Sequence, residues 1–248
     1  MRLVRSFMPP KTKWILTVIL FDFVLLTVLL LTLFHRHFCS DALITLFTQT
    51  TATTSPQPLT SDQEDKKIAL TFDDGPHPYY TEQLLDGLKD RGVIVTFFVT
   101  GEHVVLHPEV VKRMYAEGHL IGNHTYSHLQ LTSRNRSQFK RELIETSQIL
   151  AAITGEAPSF VRPPYGSWDK SLEKELNMIP VLWTVDPLDW CSDDVACITS
   201  NVISTVTEND IILMHDYYES SVTAALEIVD QLLKDGYVFV TVEEILFE

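Results

Sequence analysis

The 248-residue chain has few of the residues that mark several specialised protein classes. Three cysteines are too few for a disulfide-dense small domain, and nine glycines without a repeating period exclude a collagen-like fibre. Basic residues are also scarce, since 19 Lys and Arg stand against 33 Asp and Glu, for a net charge of −14. Such an acidic chain lacks the cationic surface that sequence-independent nucleic-acid binding needs. Hydrophobic residues make up 45% of the chain, which is enough to form a sizeable buried core.

The charge is unevenly distributed along the chain. Residues 1–60 contain five basic and two acidic residues, a net charge of +3, whereas the rest of the chain carries −17. Residues 35–65 are predicted to be a linker, because their second half is rich in Thr, Ser and Pro and has almost no large apolar side chains. A single folded domain is predicted over residues 66–248.

The N-terminal part contains a long hydrophobic run, residues 14–34, with Asp22 as its one charged side chain. At about 1.5 Å per residue, a helix of this length crosses a hydrocarbon core of roughly 30 Å. Basic residues precede the run and only Arg36 follows closely, which predicts a cytoplasmic segment 1–13 and an exported remainder. The run is therefore predicted to be a transmembrane signal anchor. Cleavage near Ser40-Asp41-Ala42 is the alternative, although signal peptides have apolar cores of only roughly 7–15 residues.

Short apolar runs alternate with amphipathic stretches from residue 66 onward. The predicted strands are Lys67–Phe72, Val93–Thr100, His119–Gly122, Ser159–Arg162, Ile179–Val185, Asp210–Met214 and Tyr237–Thr241. The predicted helices are Tyr80–Asp90, His107–Glu117, Gln138–Thr154, Lys170–Leu176, Asp194–Thr207 and Val222–Lys234. This alternation predicts an α/β fold with parallel strands joined by right-handed crossovers. The pattern alone leaves open whether the strands form a barrel or a doubly wound sheet.

Five clusters of polar residues follow predicted strands directly. In chain order they are TFDDGP (71–76), HTYSH (124–128), RPPYG (162–166), DPLDW (186–190) and ILMHD (212–216). Because the carboxyl ends of parallel strands meet at one edge of a sheet, we expect these clusters to form one site.

Two of these clusters contain residues that could bind a metal ion. His124 and His128 are four residues apart, so on a helical turn they would share a face. Thr125 stands where a metalloprotease HExxH motif has its glutamate, which argues against that class. Neighbouring side chains of an extended segment point in different directions, so one of Asp73 and Asp74 could ligate the metal while the other faces the substrate. Two histidines and one carboxylate would leave positions open for hydrolysis. Taken alone, however, the paired histidines need not bind a metal, and DDGP could be only a tight turn.

The five ordered motifs resemble those of the polysaccharide deacetylases with a NodB-homology domain, carbohydrate esterase family 4. The resemblance covers residues 66–248. It implies a distorted (β/α) barrel of about seven parallel strands, fewer than the usual eight. It also implies metal-dependent hydrolysis of N-acetyl groups on the amino sugars of a polysaccharide, with release of acetate.

The resemblance further implies a role for each motif residue. Asp74, His124 and His128 would hold the metal, usually zinc, with cobalt or another divalent ion also possible. Asp73 would be the general base that takes a proton from the attacking water, and Arg162 would lie against it.

The remaining roles concern the leaving group and the sugar. His215 would be the general acid that protonates the departing amine, with Asp189 favouring its charged form. The backbone N–H of Tyr165 would stabilise the oxyanion. Trp190 and Leu213 would form the walls of the substrate groove.

The leading functional prediction is a membrane-anchored deacetylase of bacterial peptidoglycan, with its catalytic domain outside the cell membrane. Chitin oligomers, a secreted N-acetylglucosamine polymer and acetylated xylan are alternative substrates. A catalytically silent glycan-binding module is a further alternative, but such a module would need neither Asp73 nor His215. The sequence leaves open whether Cys191 and Cys197 form a disulfide or are separate thiols.

Overall fold

Residues 66–247 are described by the structure, a computed structural model of the chain. The predicted membrane anchor at 14–34 and the predicted linker at 35–65 lie outside these residues. Within residues 66–247, no helix has both the length and the apolar character needed to cross a membrane.

Seven parallel strands form one curled sheet in the described part of the chain. They are β1 (Lys66–Asp73), β2 (Thr96–Val99), β3 (Leu120–Asn123), β4 (Phe160–Val161), β5 (Ile179–Pro180), β6 (Ile211–His215) and β7 (Tyr237–Phe239). Their order is β5-β4-β3-β2-β1-β6, and β7 pairs with the first residues of β1. The architecture is thus a half-barrel of the α/β class, and the predicted parallel strands are confirmed.

Eight helices connect or follow these strands within residues 66–247. They are α1 (Tyr80–Arg91), α2 (Gly101–Leu106), α3 (Pro108–Ala116), α4 (Arg136–Thr154), α5 (Ser171–Leu176), α6 (Val195–Thr205), α7 (Glu219–Lys234) and α8 (Val242–Phe247). The six predicted helices are present. A helix of six residues shows little periodicity, and of the three such helices within residues 66–247 only α5 was predicted, whereas α2 and α8 were not.

The strand predicted over Ile179–Val185 was too long. Only its first two residues belong to β5, and Val185 makes an isolated parallel bridge to Ile212 of β6. Val181 and Leu182 lie between β5 and Val185. Their carbonyl groups accept hydrogen bonds from the buried guanidinium of Arg162, at 3.3 and 3.2 Å. These two carbonyl groups therefore accept hydrogen bonds from a side chain of the site instead of from a neighbouring strand.

Both faces of β1 are buried, as expected of a parallel sheet covered on each side. Ile68, Leu70 and Phe72 belong to the large core shared with the surrounding helices. Ala69 lies on the other face and packs in a smaller cluster with Phe98. Because β1 is held on both faces, the residues at its carboxyl end have a fixed position.

The structure shows whether Cys191 and Cys197 are bonded to each other, which the sequence left open. Cys191 is an exposed free thiol at the end of a short 3-10 turn, so no disulfide joins it to Cys197 of α6.

Candidate active site and metal centre

The candidate site lies at the carboxyl ends of the strands, where the sequence predicted it. Asp73 is the last residue of β1 and His215 is the last residue of β6. The two are paired in the parallel register, so they are neighbours at the edge of the sheet. Asp74 and His124 follow directly after β1 and β3, which brings them to the same edge.

Asp74, His124 and His128 form a cluster that could hold a metal ion. One carboxylate oxygen and one nitrogen from each ring lie within 4.8 Å of one another. Asp74 Oδ1 is 3.4 Å from His124 Nε2 and 3.5 Å from His128 Nε2. This oxygen is buried and has no hydrogen-bond partner within the described residues, which is costly unless a cation satisfies it. The donor set and the unsatisfied oxygen together fit a divalent metal.

The electrostatics of the cluster favour an ionised Asp74. Burial raises the pKa of its carboxyl, but the close approach of His124 and the charges of His124, His128 and His215 outweigh this effect and lower the pKa to about 2. The group is therefore an anion, ready to act as a ligand, at any physiological pH.

The orientation of His124 is set by a backbone group. Its Nδ1–H donates to the carbonyl oxygen of Arg162 at 2.6 Å, which leaves Nε2 facing Asp74. A second hydrogen bond of this kind commonly fixes the tautomer of a metal-binding histidine.

The HTYSH segment is a loop, not the helical turn that the spacing of its histidines suggested. Thr125 and His128 both have left-handed backbone conformations, with φ of 63° and 56°, and these bend the chain sharply. The two histidine rings nevertheless lie 5.0 Å apart. The N–H and hydroxyl of Ser127 donate to the carboxylate of Glu142 in α4, which anchors the loop.

Asp73 lies beside the metal cluster and is held by Arg162. The guanidinium is fully buried and donates from Nη1 to Asp73 Oδ1 at 2.9 Å and to Thr71 Oγ1 at 2.6 Å. It also packs over the ring of Phe98 at 4.3 Å. The other carboxylate oxygen of Asp73 lies 3.7 Å from His124 Nε2, facing the metal cluster. Asp73 is therefore held by Arg162, while both Asp73 and Asp74 have one carboxylate oxygen within 4 Å of His124 Nε2.

His215 lies across the site and is paired with Asp189. Burial lowers the pKa of His215, but the hydrogen bond to Asp189 and the nearby carboxylate charges outweigh it and raise the pKa to about 9. The imidazole is thereby kept protonated, as a proton donor requires.

The predicted substrate-binding residues differ in accessibility. Tyr165 lies in a left-handed conformation (φ 58°) in the turn Pro164–Gly166, is 65% exposed, and contacts the His128 ring at 4.8 Å. Trp190 is 55% exposed in the turn that contains Asp189. Leu213 is only 5% exposed, so most of its side chain is covered by protein. Their roles toward a substrate stay predictions.

Two further residues contact the segment that carries Asp74, one of the candidate metal ligands, and the sequence did not single them out for this. His103 Nδ1 lies 2.6 Å from the backbone oxygen of Asp74. Asp216 is fully buried, accepts a hydrogen bond from Thr81, and lies directly beneath Gly75. Its burial raises the pKa of Asp216 to about 7. Membership of the ILMHD motif was the only signal for Asp216, and His103 belongs to none of the five motifs.

Comparison with known proteins identifies relatives that are deacetylases. The chain is 40% identical over 190 residues to the peptidoglycan-N-acetylmuramic acid deacetylase PdaC of Bacillus subtilis, covering 77% of this chain and 41% of PdaC. It is 37% identical over 190 residues to a peptidoglycan-N-acetylglucosamine deacetylase of Bacillus cereus, covering 73% of this chain and 89% of that protein. It is 41% identical over 157 residues to the chitooligosaccharide deacetylase of Rhizobium leguminosarum bv. trifolii, covering 62% of this chain and 73% of that protein.

The fold agrees with these sequence relationships. The solved structure of B. subtilis PdaC has a TM-score of 0.71 and 41% sequence identity, covering 74% of this chain and 91% of that chain. The chain spans less than half of the length of the full PdaC sequence. The sequence profile described as polysaccharide deacetylase matches residues 60–181, which include the first three motifs. On these similarities, the chain belongs to the polysaccharide deacetylase family.

Proposed function

We propose that this chain is a metal-dependent hydrolase that removes N-acetyl groups from amino sugars of peptidoglycan and releases acetate. The observation that carries the proposal is the pairing of Asp73 and His215 across the β1–β6 ladder, beside the Asp74, His124 and His128 cluster. A base and an acid thus flank one candidate metal site. The peptidoglycan-deacetylase names of the Bacillus relatives favour peptidoglycan as the substrate.

The proposed ligands of the metal are Asp74, His124 and His128. Zinc is the first candidate because nitrogen and carboxylate donors suit it, and cobalt is the second. When bound, the ion would supply Lewis acidity that polarises the acetyl carbonyl and makes water more acidic.

Proton transfer is assigned to Asp73 and His215. Asp73 would take a proton from water as the water oxygen forms a bond to the carbonyl carbon, with one carboxylate oxygen held by Arg162. The C–N bond then breaks, and His215 would give its proton to the departing amine. Asp189 would orient His215 through Nδ1, and the backbone N–H of Tyr165 would donate to the developing oxyanion.

We also propose that the enzyme acts outside the cell membrane. The apolar run at residues 14–34 and the basic residues before it support a single-pass anchor with a cytoplasmic N-terminus. Secretion after signal cleavage is the alternative. Fractionation of cells and N-terminal sequencing of the mature protein would decide between the two.

Acetate release tests the proposed reaction. The full chain, purified in detergent, should release acetate from purified peptidoglycan, lose this activity with a chelator, and regain it with Zn²⁺ or Co²⁺. Asp73→Asn should lower turnover by about 10²–10⁴-fold, the range for a general base. Asp235→Asn, at an exposed carboxylate at the end of α7, is the matched control and should be fully active. Full turnover by Asp73→Asn would show that the base is misassigned.

Chitin oligomers are the second candidate substrate, favoured by the chitooligosaccharide deacetylase among the relatives. A panel of peptidoglycan fragments, chitin oligomers, poly-N-acetylglucosamine and acetylated xylan would separate the candidates by mass spectrometry of the products. Binding to a glycan without acetate release from any of them would instead support a silent binding module.

A further inference from the structure

A buried carboxylate in α4, that of Glu142, has no role in the proposed reaction. It is only 8% exposed and lies on the inward face of the helix with the core residues Phe139 and Leu143. Among the described residues, its hydrogen-bond partners are the neutral side chains and backbone of Ser127 and Gln138. Glutamate is seldom buried without a cation beside it, because desolvation of its charge is costly. A carboxylate at this position must therefore contribute something that an apolar side chain would not.

Both oxygens of Glu142 accept hydrogen bonds from Ser127, the residue immediately before the candidate ligand His128. The backbone N–H of Ser127 donates to Oε2 at 3.0 Å, and its hydroxyl lies 3.1 Å from Oε1 and 3.0 Å from Oε2. Because an N–H lies in the plane of its peptide group, the first of these bonds fixes the orientation of that peptide. The carboxylate thus sets the direction in which the backbone enters His128.

The backbone at His128 needs such support. Thr125 and His128 have φ of 63° and 56°, in the left-handed region that residues other than glycine seldom adopt. Conformations of this kind persist only where the surrounding structure holds them. Here they place the Nε2 atom of His128 at 3.5 Å from Asp74 Oδ1. A loop free to relax would carry the His128 ring away from the other two candidate ligands.

The first half of the HTYSH loop is held by α2, on the other side. The N–H of Gly101 donates to the carbonyl oxygen of Thr125 at 2.9 Å. The N–H of Glu102 donates to that of Tyr126 at 3.0 Å. These two contacts end before the ligand is reached. Within the part of the chain that the structure describes, Glu142 is the only group outside the loop that forms a hydrogen bond with the residue preceding the ligand.

We propose that Glu142 is a positioning residue of the metal centre, which holds Ser127 so that the His128 imidazole is aimed at the cation, and thereby raises metal affinity. The proposal rests on the proposed function, since it assumes a metal ion bound by His128. The contribution of Glu142 is indirect. The ligand is already ordered before the ion arrives, so less binding free energy is lost in ordering it.

Two conservative substitutions separate positioning from a purely electrostatic attraction between Glu142 and the cation. Glu142→Asp keeps the charge but withdraws the carboxylate from Ser127 by one methylene. It should weaken Zn²⁺ binding by about 10–100-fold, the range for residues that support metal ligands. Glu142→Gln removes the charge but keeps the length and one acceptor oxygen. It should bind Zn²⁺ within about fivefold of the wild type, since a neutral acceptor gives a weaker hydrogen bond with the same geometry. Electrostatic attraction alone predicts the opposite order.

Metal affinity and a Co²⁺ spectrum are the measurements. The full chain in detergent would be stripped of metal, and its Zn²⁺ affinity measured by competition with a chelating dye. The visible absorption spectrum of the Co²⁺-loaded protein reports the geometry of the ligands, and should change in Glu142→Asp but not in Glu142→Gln. A residue that only stabilised the fold would lower the midpoint of thermal unfolding and leave this spectrum unchanged.

Two substitutions in the same helix are matched controls. Glu145→Asp shortens an exposed carboxylate of α4 by the same methylene. Gln138→Ala removes the other donor to Glu142, at 3.3 Å, without touching the loop. Both should bind Zn²⁺ as the wild type does and give its Co²⁺ spectrum. Ser127→Ala, which removes the hydroxyl contact, replaces Glu142→Asp if the latter does not fold, and should weaken Zn²⁺ binding several-fold.

Several outcomes would overturn the proposal. Wild-type Zn²⁺ affinity in Glu142→Asp would do so, and so would a loss in Glu142→Gln as large as that in Glu142→Asp. In a His128→Ala background, Glu142→Asp should cause little further loss, because the residue acts through His128. An undiminished loss there would show that it does not. Absence of Zn²⁺ binding by the wild type would instead overturn the metal dependence in the proposed function.

Discussion

His215 and Asp189 are joined by two hydrogen bonds. The imidazole Nδ1 lies 2.9 Å from one carboxylate oxygen of Asp189, and the backbone N–H of His215 donates to the other at 2.8 Å. Asp189 is almost completely buried, so the pair is shielded from water. The carboxylate therefore fixes both the position of the imidazole and the nitrogen that carries its inner proton, which directs Nε2 toward the site.

The first prediction concerns the pH dependence of turnover. His215 has its pKa raised from 6.5 to about 9, so the proton donor is lost only as the pH rises through that value. Asp189→Asn removes the charge while keeping the shape, and should shift the alkaline limb of the kcat/KM profile to lower pH. A bound divalent cation would lower the pKa of His215 in both proteins. The measurement is therefore the difference between the alkaline limbs of the two kcat/KM profiles. An unchanged alkaline limb in Asp189→Asn would show that His215 is not the acid.

The same pair makes a prediction about stability. Because the folded-state pKa of His215 lies above its unfolded value, the pair stabilises the fold fully below about pH 6.5, and this contribution is lost as the pH rises to about 9. Asp189→Asn should therefore be destabilised most at pH 6 and least at pH 9.5. Thermal unfolding at these two pH values checks the sign, and an equal loss at both would contradict the electrostatic origin.

Metal binding gives the next prediction. His128→Ala removes one of the three proposed ligand side chains and should weaken Zn²⁺ binding by at least about 100-fold, since even the partners that support metal ligands typically contribute 10–100-fold. His107→Ala is the matched control, because His107 is close to Glu109 and outside the metal cluster. Equilibrium dialysis with elemental analysis should give one ion per chain for the wild type and the control. Equal Zn²⁺ affinity in His128→Ala would exclude His128 as a ligand.

The buried Arg162 should contribute to stability as well as to the site. Arg162→Met leaves the Asp73 carboxylate without its partner, and removal of one member of a buried ion pair costs about 3–5 kcal/mol. The double variant with Asp73→Asn should recover part of this free energy of unfolding, because the unpaired charge is gone. Arg134→Met, at an exposed position, should change stability by no more than about 0.5 kcal/mol. Denaturant unfolding of all four proteins measures these differences, and a stable Arg162→Met would contradict the pairing.

The sequence predicted the sheet and the meeting of the five motifs because both depend on local patterns. Alternating apolar runs define parallel strands, and parallel strands gather their carboxyl ends at one edge, which is where Asp73 and His215 meet. The conformation of HTYSH could not be predicted, because this loop is anchored by hydrogen bonds from Ser127 to Glu142 of α4, 15 positions further along the chain.

The stacking of the His103 and Tyr217 rings, beside the metal cluster, could not be predicted from the sequence either. His103 and Tyr217 are 114 positions apart in the sequence and belong to no shared motif. They meet because β2 and β6 both neighbour β1, which is a property of the strand order. Single-sequence patterns report spacing along the chain and carry no information on such contacts.

The last prediction concerns the close contact between Gly75 and Asp216. A Cβ atom added at Gly75 would lie 2.4 Å from both carboxylate oxygens of Asp216, and this side chain is fully buried and hydrogen-bonded to Thr81. Gly75→Ala must therefore displace the backbone next to Asp74, at a cost of roughly 1–3 kcal/mol for overpacking. We expect both a lower midpoint of thermal unfolding and weaker Zn²⁺ binding.

A second glycine substitution is the control for Gly75→Ala. It also adds a Cβ atom at a tightly packed position, but one outside the Asp74 loop. At Gly87 in α1, an added Cβ would meet the end of the Leu226 side chain, with both methyl carbons at 2.6 Å and Cγ at 3.1 Å, and this flexible side chain can move. Alanine is also favoured over glycine inside a helix by roughly 0.5–1 kcal/mol, which offsets the contact. Gly87→Ala should therefore unfold within about 1 kcal/mol of the wild type and bind Zn²⁺ equally well. If Gly75→Ala matched Gly87→Ala in both measurements, the Asp216 carboxylate would not be what fixes the loop that carries Asp74.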